Sequence, residues 1–61
     1  MPTKYRVIGT DRHGQPVAVE KPNEASAIRA AEDENRHAAQ RGAPQDWRAE
    51  VAEFEWKPVS G

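Results

Sequence analysis

The 61-residue chain reads as a small α+β domain with the element order ββαβ. Three observations predict it: two β-branched segments flank a turn sequence, an alanine-rich stretch carries helix signals at both ends, and an alternating apolar and charged segment follows. The expected architecture is a single domain over residues 1–61. Its three-stranded sheet has the order 2-1-3, with one helix packed on one face.

The first two strands are expected at 3–10 (TKYRVIGT) and 15–21 (QPVAVEK), joined by Asp11-Arg12-His13-Gly14. Asp11 can accept backbone hydrogen bonds, and Gly14 can take the left-handed conformation of a type I turn followed by a G1 bulge. That turn sets Asp11 opposite Gln15, and therefore Gly9 opposite Val17, Val7 opposite Val19 and Tyr5 opposite Lys21. The other face then pairs Ile8 with Ala18 and Arg6 with Glu20, both favourable cross-strand neighbours.

The helix is expected over 24–41. Asn23 is a good N-cap, Glu24 and Arg41 suit the macrodipole, and Gly42 supplies a stop. Ala25, Ile28, Ala31, Asn35, Ala38 and Ala39 share its apolar stripe, where Asn35 is the polar exception and is expected to reach a strand-edge backbone group.

The third strand is expected at 47–57 (WRAEVAEFEWK), after a loop over 42–46, with a disordered tail at 58–61. Pairing it with the first strand so that residue numbers sum to 59 sets Lys4 against Glu55, Arg6 against Glu53 and Ile8 against Val51. The opposite face then pairs Tyr5 with Phe54, Val7 with Ala52 and Thr3 with Trp56, so one register satisfies both faces.

Composition narrows the function. There are ten alanines, no leucine and no cysteine, so the core is thin and has neither a disulfide nor a thiolate metal site to support it. No apolar run reaches the length of a membrane span and no export signal is visible, which makes the cytoplasm the expected compartment. The net charge of −1 gives no electrostatic footprint for nucleic acid. His13 and His37 lack a third ligand, so no metal is expected. Neither Ser26 nor Ser60 has an identifiable base, and the glycines form no phosphate cradle, so neither an enzyme nor a cofactor is expected.

What remains is binding. The helix covers one sheet face, and the other is expected to present Arg6, Ile8, Ala18, Val51 and Glu53 with Trp47 on or beside them. Those six residues form the candidate surface for a partner protein, with Trp47 alternatively closing the core beneath the 43–44 loop. The expected function is a small non-enzymatic protein–protein interaction module, a regulator, inhibitor or accessory subunit, with a homodimer among its possible assemblies. Strand addition at an edge is a further route, partly blunted by Pro16 and Pro22. The preference for Ala and Arg over Leu and Lys suggests a GC-rich bacterial or phage genome. The alternative is a nucleic-acid-binding accessory domain using the hairpin and sheet face. For that reading, the stretch from Tyr5-Arg6-Val7 through Asp11-Arg12-His13-Gly14 to Asn23 loosely resembles the arm-binding domains of phage-type integrases. Those domains place a third strand ahead of the helix and carry a basic reading face, and this chain does neither.

Overall fold

The computed structural model describes residues 3–59. Strand β1 spans Lys4–Thr10, β2 Pro16–Lys21, helix α1 Glu24–Gln40, β3 Arg48–Ala52 and β4 Trp56–Pro58. The molecule is a small α+β fold whose antiparallel sheet has four strands in the order β2-β1-β3-β4.

The hairpin follows its turn chemistry. Asp11 Oδ1 accepts from the amides of His13 (2.8 Å) and Gln15 (2.9 Å), the Gly14 amide donates to the Asp11 carbonyl (3.0 Å), and Gly14 has φ +79°. These contacts fix the register, which runs from Thr10 opposite Pro16 to Tyr5 opposite Lys21 and includes all five pairs expected between the strands.

The helix ends where its caps dictate. Asn23 is extended and its side chain accepts from the Ser26 amide at 2.8 Å. At the far end Gly42 has φ +70°; its amide donates to the Ala39 carbonyl (3.1 Å) and the Ala43 amide to the Ala38 carbonyl (2.8 Å), the paired bonds of a Schellman motif. The buried stripe is Ala27, Ala31 and Ala38, with Ala25, Ile28 and Ala39 exposed, so the helix is rotated from the expected face. So many alanines make several stripes almost equally apolar, and the choice falls to longer-range contacts.

The segment after the helix departs most from expectation. The single strand expected at 47–57 is a hairpin, because residues 53–55 turn and bring β4 back along β3. Its register against β1 also differs. Lys4 faces Ala52, Tyr5 faces Val51, Arg6 faces Glu50, Val7 faces Ala49 and Ile8 faces Arg48, so paired numbers sum to 56 rather than 59. The expected register would have set Trp47 past the end of β1 and Gly9 opposite Glu50. The observed one continues to set Trp47 opposite Gly9, where the indole has room: a Cβ on Gly9 would come within 2.6 Å of Trp47 Cγ. The tail is also shorter than expected, since Pro58 belongs to β4 and the Val59 amide donates to the Ala49 carbonyl at 3.1 Å. Residues 60–61 of the expected tail lie outside the described residues.

Val7, Ala31 and Trp47 form the core cluster, with Val17 and Ala30 packed against it. Asn35 clamps Trp47 to the helix: its Nδ2 donates to the Trp47 carbonyl (2.9 Å) and its Oδ1 accepts from the Trp47 amide (3.0 Å). No described strand pairs the outer edge of the chain at Trp47, and this amide supplies both missing rungs, as expected of Asn35. Asp46 ties the same loop to β1 by accepting from the Thr10 amide (3.2 Å) and hydroxyl (2.5 Å).

Candidate functional site

Only one sheet face carries the helix. Register places Lys4, Arg6, Ile8, Ala18, Glu20, Arg48, Glu50, Ala52 and Trp56 on the other. Of the six expected partner residues, Arg6, Ile8 and Ala18 lie there. Trp47 does not: it is 7% exposed and belongs to the core, the alternative expected of it. Val51 faces the helix side beside Tyr5, and Glu53 stands exposed in the turn between β3 and β4. The cause is the changed register, which reverses the facing of every β3 residue.

The open face has a different centre. Glu50, 5% exposed, receives the Arg6 guanidinium through Nε (2.8 Å) and Nη2 (2.7 Å), and Arg48 Nη2 lies 3.5 Å from its second oxygen. Trp56, half-buried, stacks on the same guanidinium, whose Cζ is 4.0 Å from the ring centroid. A carboxylate so buried requires these partners, because an unpaired charge would be costly. The result is a held stack of Trp56, Arg6 and Glu50, with Ile8 and Ala18 toward the hairpin end. The indole on this face is Trp56, which the expected register had set opposite Thr3 on the helix side. Sequence reasoning missed Trp56, Glu50 and Arg48, since residues 53–55 contain no glycine, proline or asparagine to mark a turn, and Glu53 satisfies Arg6 on paper as well as Glu50 does.

The sheet edges are less available. The 49/59 pair is hydrogen-bonded, so Pro58, one residue out of phase, directs its nitrogen away from β3. By the same alternation Pro16 and Pro22 fall at the outward-directed positions of β2. Each lacks the donor that an added strand needs there, which argues against augmentation.

On the helix side α1 lies mainly over β1 and β3 and only partly over β2. A cleft of about 580 Å³ results, floored by Val7, Val17, Val19 and Ala30. Val19 is 42% exposed within it.

Two carboxyls have pKa values below the ordinary 3.8. Asp11 is lowered chiefly by the Gln15 amide, with the His13 amide adding to it, and Asp46 by the Thr10 hydroxyl and then the Thr10 amide. Both serve turns. Among the described residues no group of three or more His, Asp or Glu could hold a metal ion, and no helix is long and apolar enough to cross a membrane.

No protein-family model, curated protein or solved structure matches this chain.

Proposed function

We propose that the chain is a non-enzymatic protein–protein interaction module, a regulator, inhibitor or accessory subunit, that binds its partner through the open sheet face. The observation that carries this is the Trp56–Arg6–Glu50 stack. Trp and Arg are the residue types that most often anchor interfaces, and here both are held in place before any partner arrives, with Ile8 and Ala18 extending the apolar surface. The test is capture from nuclease-treated lysate by tagged wild type beside Trp56→Ala and Ile8→Asp, with folding followed by circular dichroism. A protein retained by wild type and lost by both folded variants supports the reading; equal retention by all three removes the open face from it.

Nucleic-acid binding is the second reading. Its support is the exchange of charges on the open face, where Arg48 joins Lys4 and Arg6 and the single carboxylate of Glu50 stands in place of Glu53 and Glu55, which move to the turn. Such a complex must weaken steeply with salt, and more so than a contact anchored by Trp56 and Ile8.

A further inference from the structure

We propose that two copies of this chain exchange β4, each lending its Trp56–Pro58 strand to the β3 edge of the other, so that the partner's Trp56 completes the stack on Arg6 and Glu50. The proposal rests on how the β3–β4 hairpin is closed and is independent of what the open face binds.

The two hairpins are closed differently. Each turns through three residues, 12–14 in the first and 53–55 in the second. A loop of that length ordinarily ends on a residue in the left-handed region. In the first hairpin Gly14 takes this place at φ +79°, the Asp11 amide donates to the Gln15 carbonyl at 2.9 Å, and the Asp11 side chain holds two more amides. In the second the same place falls to Glu55. No residue of 53–55 has a positive φ, and no hydrogen bond forms within that turn among the described residues. The alternation over 47–57 suits an unbroken strand instead, so the hinge sequence favours extension where the fold imposes a turn.

Opening that turn leaves the register intact. Val51 faces Lys57 and Ala52 faces Trp56, so the pairing is centred on residue 54. Two extended copies related by a two-fold axis at Phe54 keep each of these pairs, now between chains, and add residues 53–55 to the ladder. The 49/59 pair is hydrogen-bonded, so by alternation Glu53 and the partner's Glu55 form hydrogen-bonded pairs that the closed turn lacks. Phe54 then meets the partner's Phe54 at a non-hydrogen-bonded position, where side chains come closest. In the extended strand Phe54 shares a face with Ala52 and Trp56, so a ring that is 88% exposed in the single chain gains an aromatic neighbour across the axis and a tryptophan on either side. One contact opposes the exchange: Glu53 faces the partner's Glu55 twice in the pair, with like charges opposed.

That contact gives the test its handle. Sedimentation of the full chain up to millimolar concentration, with folding checked by circular dichroism, is expected to show a dimer. Glu53→Lys turns both repulsive pairs into attractive ones and is expected to raise the association constant about fivefold. Glu55→Gly supplies the residue that the turn lacks and is expected to lower the constant by about threefold or more relative to Glu55→Gln, which removes the same charge. Exchange itself is read from Val51→Cys combined with Lys57→Cys, which places the only two cysteines of the chain on facing residues. Oxidised at millimolar concentration, this variant is expected to give covalent dimers on a non-reducing denaturing gel, and closed single chains at micromolar. If it does not fold, the sedimentation of Glu53→Lys decides. A wild type that stays monomeric, disulfides formed only within single chains at millimolar, or a Glu53→Lys variant that associates no more tightly than wild type overturns the proposal.

Discussion

The two tryptophans do opposite work on opposite faces of one sheet. Trp47 is buried against Gly9 with its backbone held by Asn35, so it joins the helix to β1 and β3. Trp56 stays half-buried on the open face and covers a guanidinium rather than a core. The difference shows how a chain this poor in large apolar residues divides its packing. One indole stands where leucines would be in a richer core; the other completes a charged stack that is dry at Glu50 and open at its rim. The covered face therefore buries its indole, and the open face leaves Trp56 partly exposed beside its ion pair.

The sharpest way to break that contrast is to remove each indole in turn. Trp47→Ala is expected to cost about 3–5 kcal/mol, as for large aromatic truncations in cores, and so to unfold most of the protein; Trp56→Ala is expected to cost about 1 kcal/mol, the scale of a partly exposed cation–π contact with some lost packing. Urea denaturation followed by circular dichroism measures both, and equal costs would mean that the two faces share the load.

The next effect separates the stack from its parts. Arg6→Ala leaves Glu50 buried beside Arg48 alone and is expected to destabilise by about 2–3 kcal/mol, the range for stranding a buried charged group. Adding Glu50→Leu is expected to restore much of the loss, since replacing both partners of such a pair by apolar groups is far less costly than removing one. A double variant no more stable than Arg6→Ala would show that Arg6 acts through Trp56 instead.

Asn35→Ala is expected to cost about 1–3 kcal/mol, because it strands the amide and carbonyl of Trp47. Gly14→Val is expected to cost about 1–2 kcal/mol by placing a side chain at φ +79°, with Gly14→Asn close to neutral. Thermal melts of the three variants test whether the covered face depends on that clamp as well as on the indole.

The smallest effect is the pH dependence. Asp11 and Asp46 have folded pKa values below the 3.8 of the unfolded chain, so the stability they contribute is present above that value and is lost as pH falls through their lowered folded values. Asp46→Asn should flatten the decline in urea midpoint below about pH 4. A decline identical to wild type would remove the Thr10 contacts from the acid response.

Legibility followed the distance over which each decision is made. The first hairpin, its register, both helix caps and the Asn35 contact were readable, because Asp11, Gly14, Asn23 and Gly42 each impose geometry on neighbours within a few residues. The candidate surface was half readable: Arg6, Ile8 and Ala18 lie on the hairpin, whose facing is set by its own turn. Val51 and Glu53 were misplaced, and Trp47 was left between the surface and the core, because their facing depends on pairing with β1 about forty residues earlier, and an alternating segment fits two registers with similar charge pairing.

By itself, then, the sequence determined a small α+β fold with one helix, because caps, turn glycines and alternation act locally and have few alternatives. The tertiary structure decided that residues 47–58 fold as a hairpin, which tryptophan enters the core, and which glutamate Arg6 holds. Those choices rest on volume: the indole of Trp47 fits where Gly9 offers no Cβ, and that one fit carries β3, β4 and the open face with it.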